Sequence, residues 1–395
     1  MSYTDRYQRL GELPDLENAI KCEIDAINES PDRHPELSQR HAVLGILYGL
    51  KYQRLGNVAN LKKAIQHKSC ALILTPNGHP NLPEQHAALG VSYIDRYRHL
   101  GELTNLKNSI EYRFKALTLT PGNHPDLPHW HADLGVSYIE QYQRIGELDD
   151  LEKSIKCKSD ALKLTPNGHP DLPRRHAALG VSYAKRYRHL DELTNLNKVI
   201  QFLVHALTIT QNSHPDLPRR HADLGVSYIY RYQCQGESAD LHKAIKCYSC
   251  ALNLTPDGHP HLSLQHYHLA TSYHHQYQNT HDPSDLQTLL DAFHNASQLV
   301  NGSPRDVFNS ALEWANLAYK HSYLSRIDAY RTTIGLLPHF IWLGATTSQR
   351  YHDLSLAKNL AVSAASAAIL SSEYTLALEW LEHAQCVVWN QSLML

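Results

Sequence analysis

The sequence predicts an all-α repeat protein, a right-handed superhelical solenoid of about nine antiparallel helical hairpins. A constant 45-residue period, helical spacing of the apolar residues within each period, and turn residues between the helical stretches support this prediction. The period is clearest in a His-Pro dipeptide, whose histidine recurs at His34, His79, His124, His169, His214 and His259. Units of this size bury their apolar faces by stacking on their neighbours, and such arrays present long surfaces.

Each period contains two helical stretches. In the fourth copy, one helical face is formed by residues at i, i+3, i+4, i+7, i+11 and i+14, namely His131, Leu134, Gly135, Tyr138, Tyr142 and Ile145. Asp126 and Pro128 are start signals for this stretch, helix A, and Gly146 ends it. A second stretch, helix B, begins near Leu151 and stops at a Pro- and Gly-containing turn, residues 165–168. The period is therefore a helix A–helix B hairpin.

Positions that hardly change between copies mark the expected packing core. They are Leu89, Gly90, Tyr93, Leu134, Gly135, Tyr138, Leu179, Gly180, Tyr183, Leu224, Gly225 and Tyr228. A glycine within a helix costs about 1 kcal/mol relative to alanine. We therefore expect helix B to approach helix A closely at each of these glycines.

The period also predicts the organisation of the chain. Residues 1–300 contain about seven repeats, the first truncated because Tyr3 and Tyr7 align with Tyr48 and Tyr52 inside helix A. After Gly302 the period is lost. Residues 301–395 are expected to form two degenerate hairpins, about 304–338 and 347–391, that continue or cap the array.

Composition restricts the class of protein. The chain has 37 Lys+Arg against 39 Asp+Glu, which argues against nucleic-acid binding because a polyanion binder needs a basic excess. The N-terminus lacks the apolar core of a signal peptide, and the most apolar stretch, 360–370, is too short to span a bilayer. The seven cysteines lie in helical patterns, which favours reduced thiols. We expect a cytoplasmic protein without membrane association.

No sequence motif indicates catalysis or a cofactor. The chain has no GxSxG, no phosphate-binding glycine loop and no HExxH. Cys386 and His383 lie on one predicted helix without an orienting third group, and we expect no catalytic residue there. Cys247 and Cys250 form a CxxC that lacks a second CxxC, which favours packing over metal binding.

Histidine forms two ladders along the array. One is the His-Pro series; the other is the His41 series, comprising His41, His86, His131, His176, His221 and His266. Zinc needs three or four converging ligands, whereas each ladder supplies one per repeat. We therefore expect no metal site, with the His41 series facing the core and the His-Pro series acting as cations or donors near helix B C-termini. A metal-buffering ladder is the alternative.

The repeat resembles a known family. Leu44, Gly45, Tyr48, Ala64 and Ala71, followed by Pro76, match the tetratricopeptide repeat (TPR) pattern, although His41 replaces its usual aromatic residue and the helix A–helix B connection is longer. Linkers such as LTPNGHPDLP and turns such as RYQRLGEL resemble the TPR arrays of fungal CHAT-domain proteins over residues 1 to about 300. In that family such arrays precede a caspase-like CHAT peptidase domain. The resemblance implies that this domain, with its His/Cys pair, is absent from this chain.

Two helix A positions vary between copies and are the candidate partner-binding positions. Similar positions line the concave groove of TPR arrays, and here they are either solvated or tuned to a partner. The candidates are Glu84, Asp95, Glu140, Arg174, Lys185, Arg219 and Tyr230. They predict a groove that is acidic in the third and fourth repeats and basic or aromatic in the fifth and sixth. We expect a non-enzymatic scaffold for a protein or peptide segment, or alternatively the sensor arm of a CHAT-type peptidase.

Overall fold

Helices of similar length recur because the same start and stop residues recur in each period. The structure, a computed structural model, describes residues 3–31, 34–299, 301–321, 326–340 and 359–393, with side chains to 383. Every regular element within these ranges is an α-helix. The chain divides into two units, Met1–Phe202 and Leu203–Leu395.

The first unit contains the opening hairpins of the array. Its helices are α1 (Tyr3–Leu10), α2 (Leu13–Asn28), α3 (Leu37–Leu55), α4 (Val58–Leu74), α5 (Leu82–Leu100), α6 (Leu103–Leu119), α7 (Leu127–Ile145), α8 (Leu148–Lys163) and α9 (Leu172–Leu190). Helix α10 (Leu193–Thr208) contains the boundary between the units. From α3 onward the odd-numbered helices are A helices and the even-numbered ones B helices, as the periodicity predicts.

The second unit continues with the same hairpins and then departs from the period. Its helices are α11 (Leu217–Gln235), α12 (Ser238–Leu254), α13 (Leu262–Thr280), α14 (Pro283–Ser297), α15 (Pro304–Lys320), α16 (Arg326–Phe340), α17 (Leu360–Leu370) and α18 (Tyr374–Leu393). Helices α15 and α16 occupy the range expected for the first degenerate hairpin. The first part of the second, residues 347–358, lies outside the described residues. None of the described helices combines the length and apolarity needed to cross a membrane.

The ends of helix α7 show how the turns are made. Pro128 lies in its first turn, where a missing N–H costs nothing, and Gly146 ends it with a φ of 86°. Asp126 occupies the N-cap position, but its side chain makes no capping hydrogen bond. Instead its backbone N–H donates to Nδ1 of His124 at 3.2 Å.

The same turn recurs at every described His-Pro dipeptide. The acceptors of the equivalent bonds are His34, His79, His124, His169, His214 and His259. The expectation that these histidines act as cations or donors at helix B C-termini is therefore wrong for Nδ1. This nitrogen accepts a backbone N–H bond at the start of helix A instead of donating one.

A close approach of α8 to α7 explains the glycine inside helix A. A Cβ atom added to Gly135 would lie 2.8 Å from Cγ of Lys158 and 3.2 Å from the carbonyl oxygen of Ser154. The Ser154 hydroxyl also donates to the Gly135 carbonyl at 2.7 Å. A side chain at position 135 would therefore press against both the Lys158 side chain and the α8 backbone. Gly45, Gly90 and Gly225 have equally short approaches.

The repeated apolar positions form the interior of each unit. In the first unit Leu89, Leu134 and Leu179 are buried with their following glycines, Tyr183 is buried, and Tyr93 and Tyr138 are half-buried. In the second unit Leu224, Gly225 and Tyr228 are buried in the same way. A further cluster joins the last hairpins through Phe308, Tyr330, Ala364 and Trp380.

Candidate binding clefts

Clefts lie between successive A helices of the first unit, and two of them are compared first. The cleft between α7 and α9, about 70 Å³, has His129 and Arg174 on its walls and Lys158 of α8 among its lining residues. An equivalent cleft of about 100 Å³ between α3 and α5 is lined by Gln39, Glu84 and Lys68. One of the two variable helix A positions therefore lines both clefts.

A larger cleft lies within the second unit, between α11 and α13. It has a volume of about 760 Å³ and is lined by Arg219, Ala222, Leu264 and His268. Arg219 and Leu264 occupy the variable position that also lines the clefts of the first unit. Tyr230, on α11, is 38% exposed and does not line this cleft.

At the second variable position, two acidic side chains, Asp95 and Glu140, are less exposed than the sequence predicts. The Glu140 side chain is only 17% exposed, and its Oε1 accepts a bond from Nε of Arg98, in the preceding repeat, at 2.9 Å. Asp95 is half-buried, with Oδ1 3.8 Å from the same guanidinium. The positive charge of Arg98 thus offsets the negative charges of Asp95 and Glu140. These two carboxylates form an ion-pair cluster with the exposed Arg98 guanidinium.

Three B helices carry a buried cation at one repeat position. Lys68, Arg113 and Lys158, which we call the buried cations, are 5–8% exposed. Each one passes the helix A glycine of its own repeat and donates to a serine hydroxyl of the next A helix. The acceptors and distances are Ser92 at 2.8 Å, Ser137 at 2.8 Å and Ser182 at 2.7 Å.

Sequence reasoning missed the buried cations because charged helix residues are usually exposed. The signal was the repeat position itself, which reads Lys68, Arg113, Lys158, Leu203, Tyr248 and Phe293. Its large apolar residues in later copies mark a core position, so a cation there must find polar partners.

The residue at the second variable position contributes charge near each buried cation. Burial lowers the pKa of Lys68 to about 8, and the negative charge of Asp95 opposes that decrease. Burial also lowers the pKa of Arg113, which Asp133 and Glu140 oppose. Burial lowers the pKa of Lys158 to about 8 as well, but there the neighbouring charge is that of Lys185, which lowers the pKa further.

The His41 series lies partly buried against the B helices. Burial lowers the pKa of five of its members, His41, His86, His131, His221 and His266. Four of these have a buried Nδ1 without a hydrogen-bond partner, namely His86, His131, His221 and His266. Such surroundings favour the neutral ring.

Neither the cysteines nor the histidines form a reactive or metal-binding cluster among the described side chains. No group of three or more His, Cys, Asp or Glu could hold a metal ion there. Burial raises the pKa of the Cys247 thiol to about 11, which disfavours the reactive thiolate. The predicted Cys386–His383 arrangement cannot be placed, because the Cys386 side chain lies outside the described residues.

The chain is similar to several solved helical-repeat structures. No protein-family model matches it, and no curated protein sequence matches it significantly. Human IFIT1, solved as a dimer with PPP-AAAA, is 15% identical with a TM-score of 0.47, over 88% of this chain and 69% of IFIT1. PilF of Pseudomonas aeruginosa is 16% identical with a TM-score of 0.46, over 70% of this chain and 99% of PilF. YrrB, a TPR protein with an unusual peptide-binding site, is 15% identical with a TM-score of 0.40, over 60% of this chain and 95% of YrrB.

Proposed function

We propose that the chain is a non-enzymatic scaffold that binds a protein or peptide segment on the clefts between its A helices. The supporting observation is that one variable position lines the described clefts while the packing residues around it repeat. Within the first unit that position carries Gln39 and Glu84 in one cleft and His129 and Arg174 in another. A surface that changes on a constant framework supplies different side chains to successive parts of an extended ligand.

Peptide display on the purified chain tests this function. We expect peptides that bind the wild-type chain to lose binding to a variant that carries Glu84→Arg, His129→Glu and Arg174→Glu. These substitutions reverse or add charge on the cleft walls, where the exposed side chains contribute little to folding. Helical content and melting temperature should stay close to those of the wild-type chain.

A matched control uses exposed lysines of B helices. Lys62 and Lys107 lie outside the clefts, and Lys62→Glu with Lys107→Glu changes charge without touching the cleft walls. Peptide binding should survive this change. Peptides that bind both variants equally well would place the recognition surface elsewhere, and the failure to select any binder would contradict the scaffold function.

A regulatory arm of a CHAT-type peptidase is the second candidate, favoured by the resemblance of residues 1 to about 300 to such arrays. It adds a consequence to binding: a segment held on the array would control a caspase-like domain. Genomic sequence that follows the codon for Leu395 is the test. An open reading frame with a caspase-like His/Cys motif supports this candidate, and a stop codon at that point opposes it.

A further inference from the structure

The buried cation at position 158 lacks the acidic neighbour that the other two have. Asp95 acts on Lys68, and Asp133 with Glu140 acts on Arg113. The residue of α9 equivalent to Asp95 and Glu140 is Lys185, a second cation. Among the described residues, Lys158 forms no ion pair, and its ammonium group donates to the neutral hydroxyl of Ser182. An ammonium group has three donor hydrogens, so two remain beyond the bond to Ser182.

The carboxylates that line this cleft have cations of their own. An Asp171 oxygen lies 3.6 Å from the guanidinium of Arg175. Asp133 lies 3.9 Å from the Arg113 guanidinium and 3.7 Å from Nε2 of His129. Neither is paired with Lys158. The cleft between α7 and α9 therefore contains a buried positive charge, and the exposed Arg174 adds positive charge on its wall.

We propose that this cleft binds the carboxylate of an aspartate or glutamate side chain in the protein segment that the scaffold holds. The proposal rests on the function proposed above and specifies the chemistry of the ligand at one cleft. A carboxylate is the group that the chain itself places near Lys68 and Arg113. A ligand carboxylate would supply the same compensation to Lys158 and Lys185, and a cleft of about 70 Å³ has room for one such side chain.

Two variants separate this site from the rest of the surface. Lys158→Met removes the ammonium while it keeps an unbranched chain beside Gly135, and other copies carry apolar residues at this position. Lys185→Asp reproduces the arrangement of Asp95 and supplies the missing negative charge internally. Lys68→Met is the matched control, since it removes the buried cation of a cleft that already has its acid.

Peptides selected by display on the wild-type chain are the probes. We expect an enriched Asp or Glu at one position, and replacing it by Asn or Gln should weaken binding about 10- to 100-fold, as expected for loss of a charge-assisted hydrogen bond. This difference should vanish in Lys158→Met and Lys185→Asp and persist in Lys68→Met. The Lys185→Asp variant should also melt at a higher temperature, because it removes repulsion between two cations.

The outcomes distinguish this inference from the function on which it rests. Bound peptides without a required acid, or an acid preference that persists in both variants, overturn the carboxylate site and leave the scaffold function standing. A preference for phosphorylated or nucleic-acid ligands at this cleft also overturns it. If no peptide binds the wild-type chain, the scaffold function fails and the carboxylate site fails with it. Should Lys158→Met not fold, Lys185→Asp decides the result alone.

Discussion

Histidine is the residue whose surroundings this repeat controls most consistently. The His-Pro series accepts backbone hydrogen bonds at Nδ1, and burial lowers the pKa of five members of the His41 series. Burial in the His41 series favours the uncharged ring, because protonation of these side chains would place a charge against the core.

Acidification should therefore destabilise the array. For the His41 series the folded pKa lies below the unfolded value of about 6.5, so the folded state binds fewer protons. Its contribution to stability is fully present above pH 6.5 and is lost as the pH falls through the lowered folded pKa values. Thermal melts should show a lower melting temperature at pH 5.5 than at pH 7.5, and His131→Phe should reduce the difference. An array that gains stability steadily over this range would contradict the neutral state of these rings.

At the scale of helices, helix A and helix B of four described hairpins approach each other closely at the helix A glycine. A Cβ at Gly135 would meet both the Lys158 side chain and the α8 backbone. The buried cation needs this space, because its stem runs past the glycine to reach Ser182. The glycine and the cation therefore act together: the glycine allows the close contact between α7 and α8, and the cation donates to the next repeat.

Gly135→Leu should destabilise the chain far more than Glu84→Leu. The first substitution overpacks the contact between α7 and α8, at a cost of about 1–3 kcal/mol or more, whereas an exposed change is usually within about 0.5 kcal/mol. Glu84 is the better control than Glu140, whose side chain is half-buried and paired with Arg98. The comparison needs thermal or denaturant melts of the two variants. Equal shifts would contradict the assignment of the packing face.

The helix hairpins were predictable from the sequence because seven copies of one pattern reinforce each other. The buried cations and the Arg98–Glu140 pair were not, because their partners lie in different repeats. Arg98 and Glu140 are 42 residues apart, and Lys158 and Ser182 are 24 residues apart. Comparison of copies shows which positions change, but it does not show which changing positions face one another across a repeat boundary. The three-dimensional contact supplies that information.

At the scale of the molecule, a bond from each buried cation to the following repeat means that repeats of the first unit are not interchangeable parts. Nearly identical periods favour unequal recombination, which removes or duplicates whole units of a gene. The stability of the product then depends on the charge that the following A helix places near the buried cation at the new junction. A junction that joins a buried cation to a helix with an acid gives that cation the acidic neighbour that Lys68 and Arg113 have, and one that joins it to Lys185 repeats the uncompensated arrangement of Lys158.

Two deletions of one period make this consequence measurable. Removal of residues 69–113 places Lys68 before the helix that carries Ser137 and Glu140, so the cation keeps a serine and an acid. Removal of 114–158 places Arg113 before the helix that carries Ser182 and Lys185, so two cations meet. Both products have the same length, yet the first should melt at the higher temperature. Charge at the junctions would then restrict which repeats this gene can lose or duplicate, even where the repeat length is preserved.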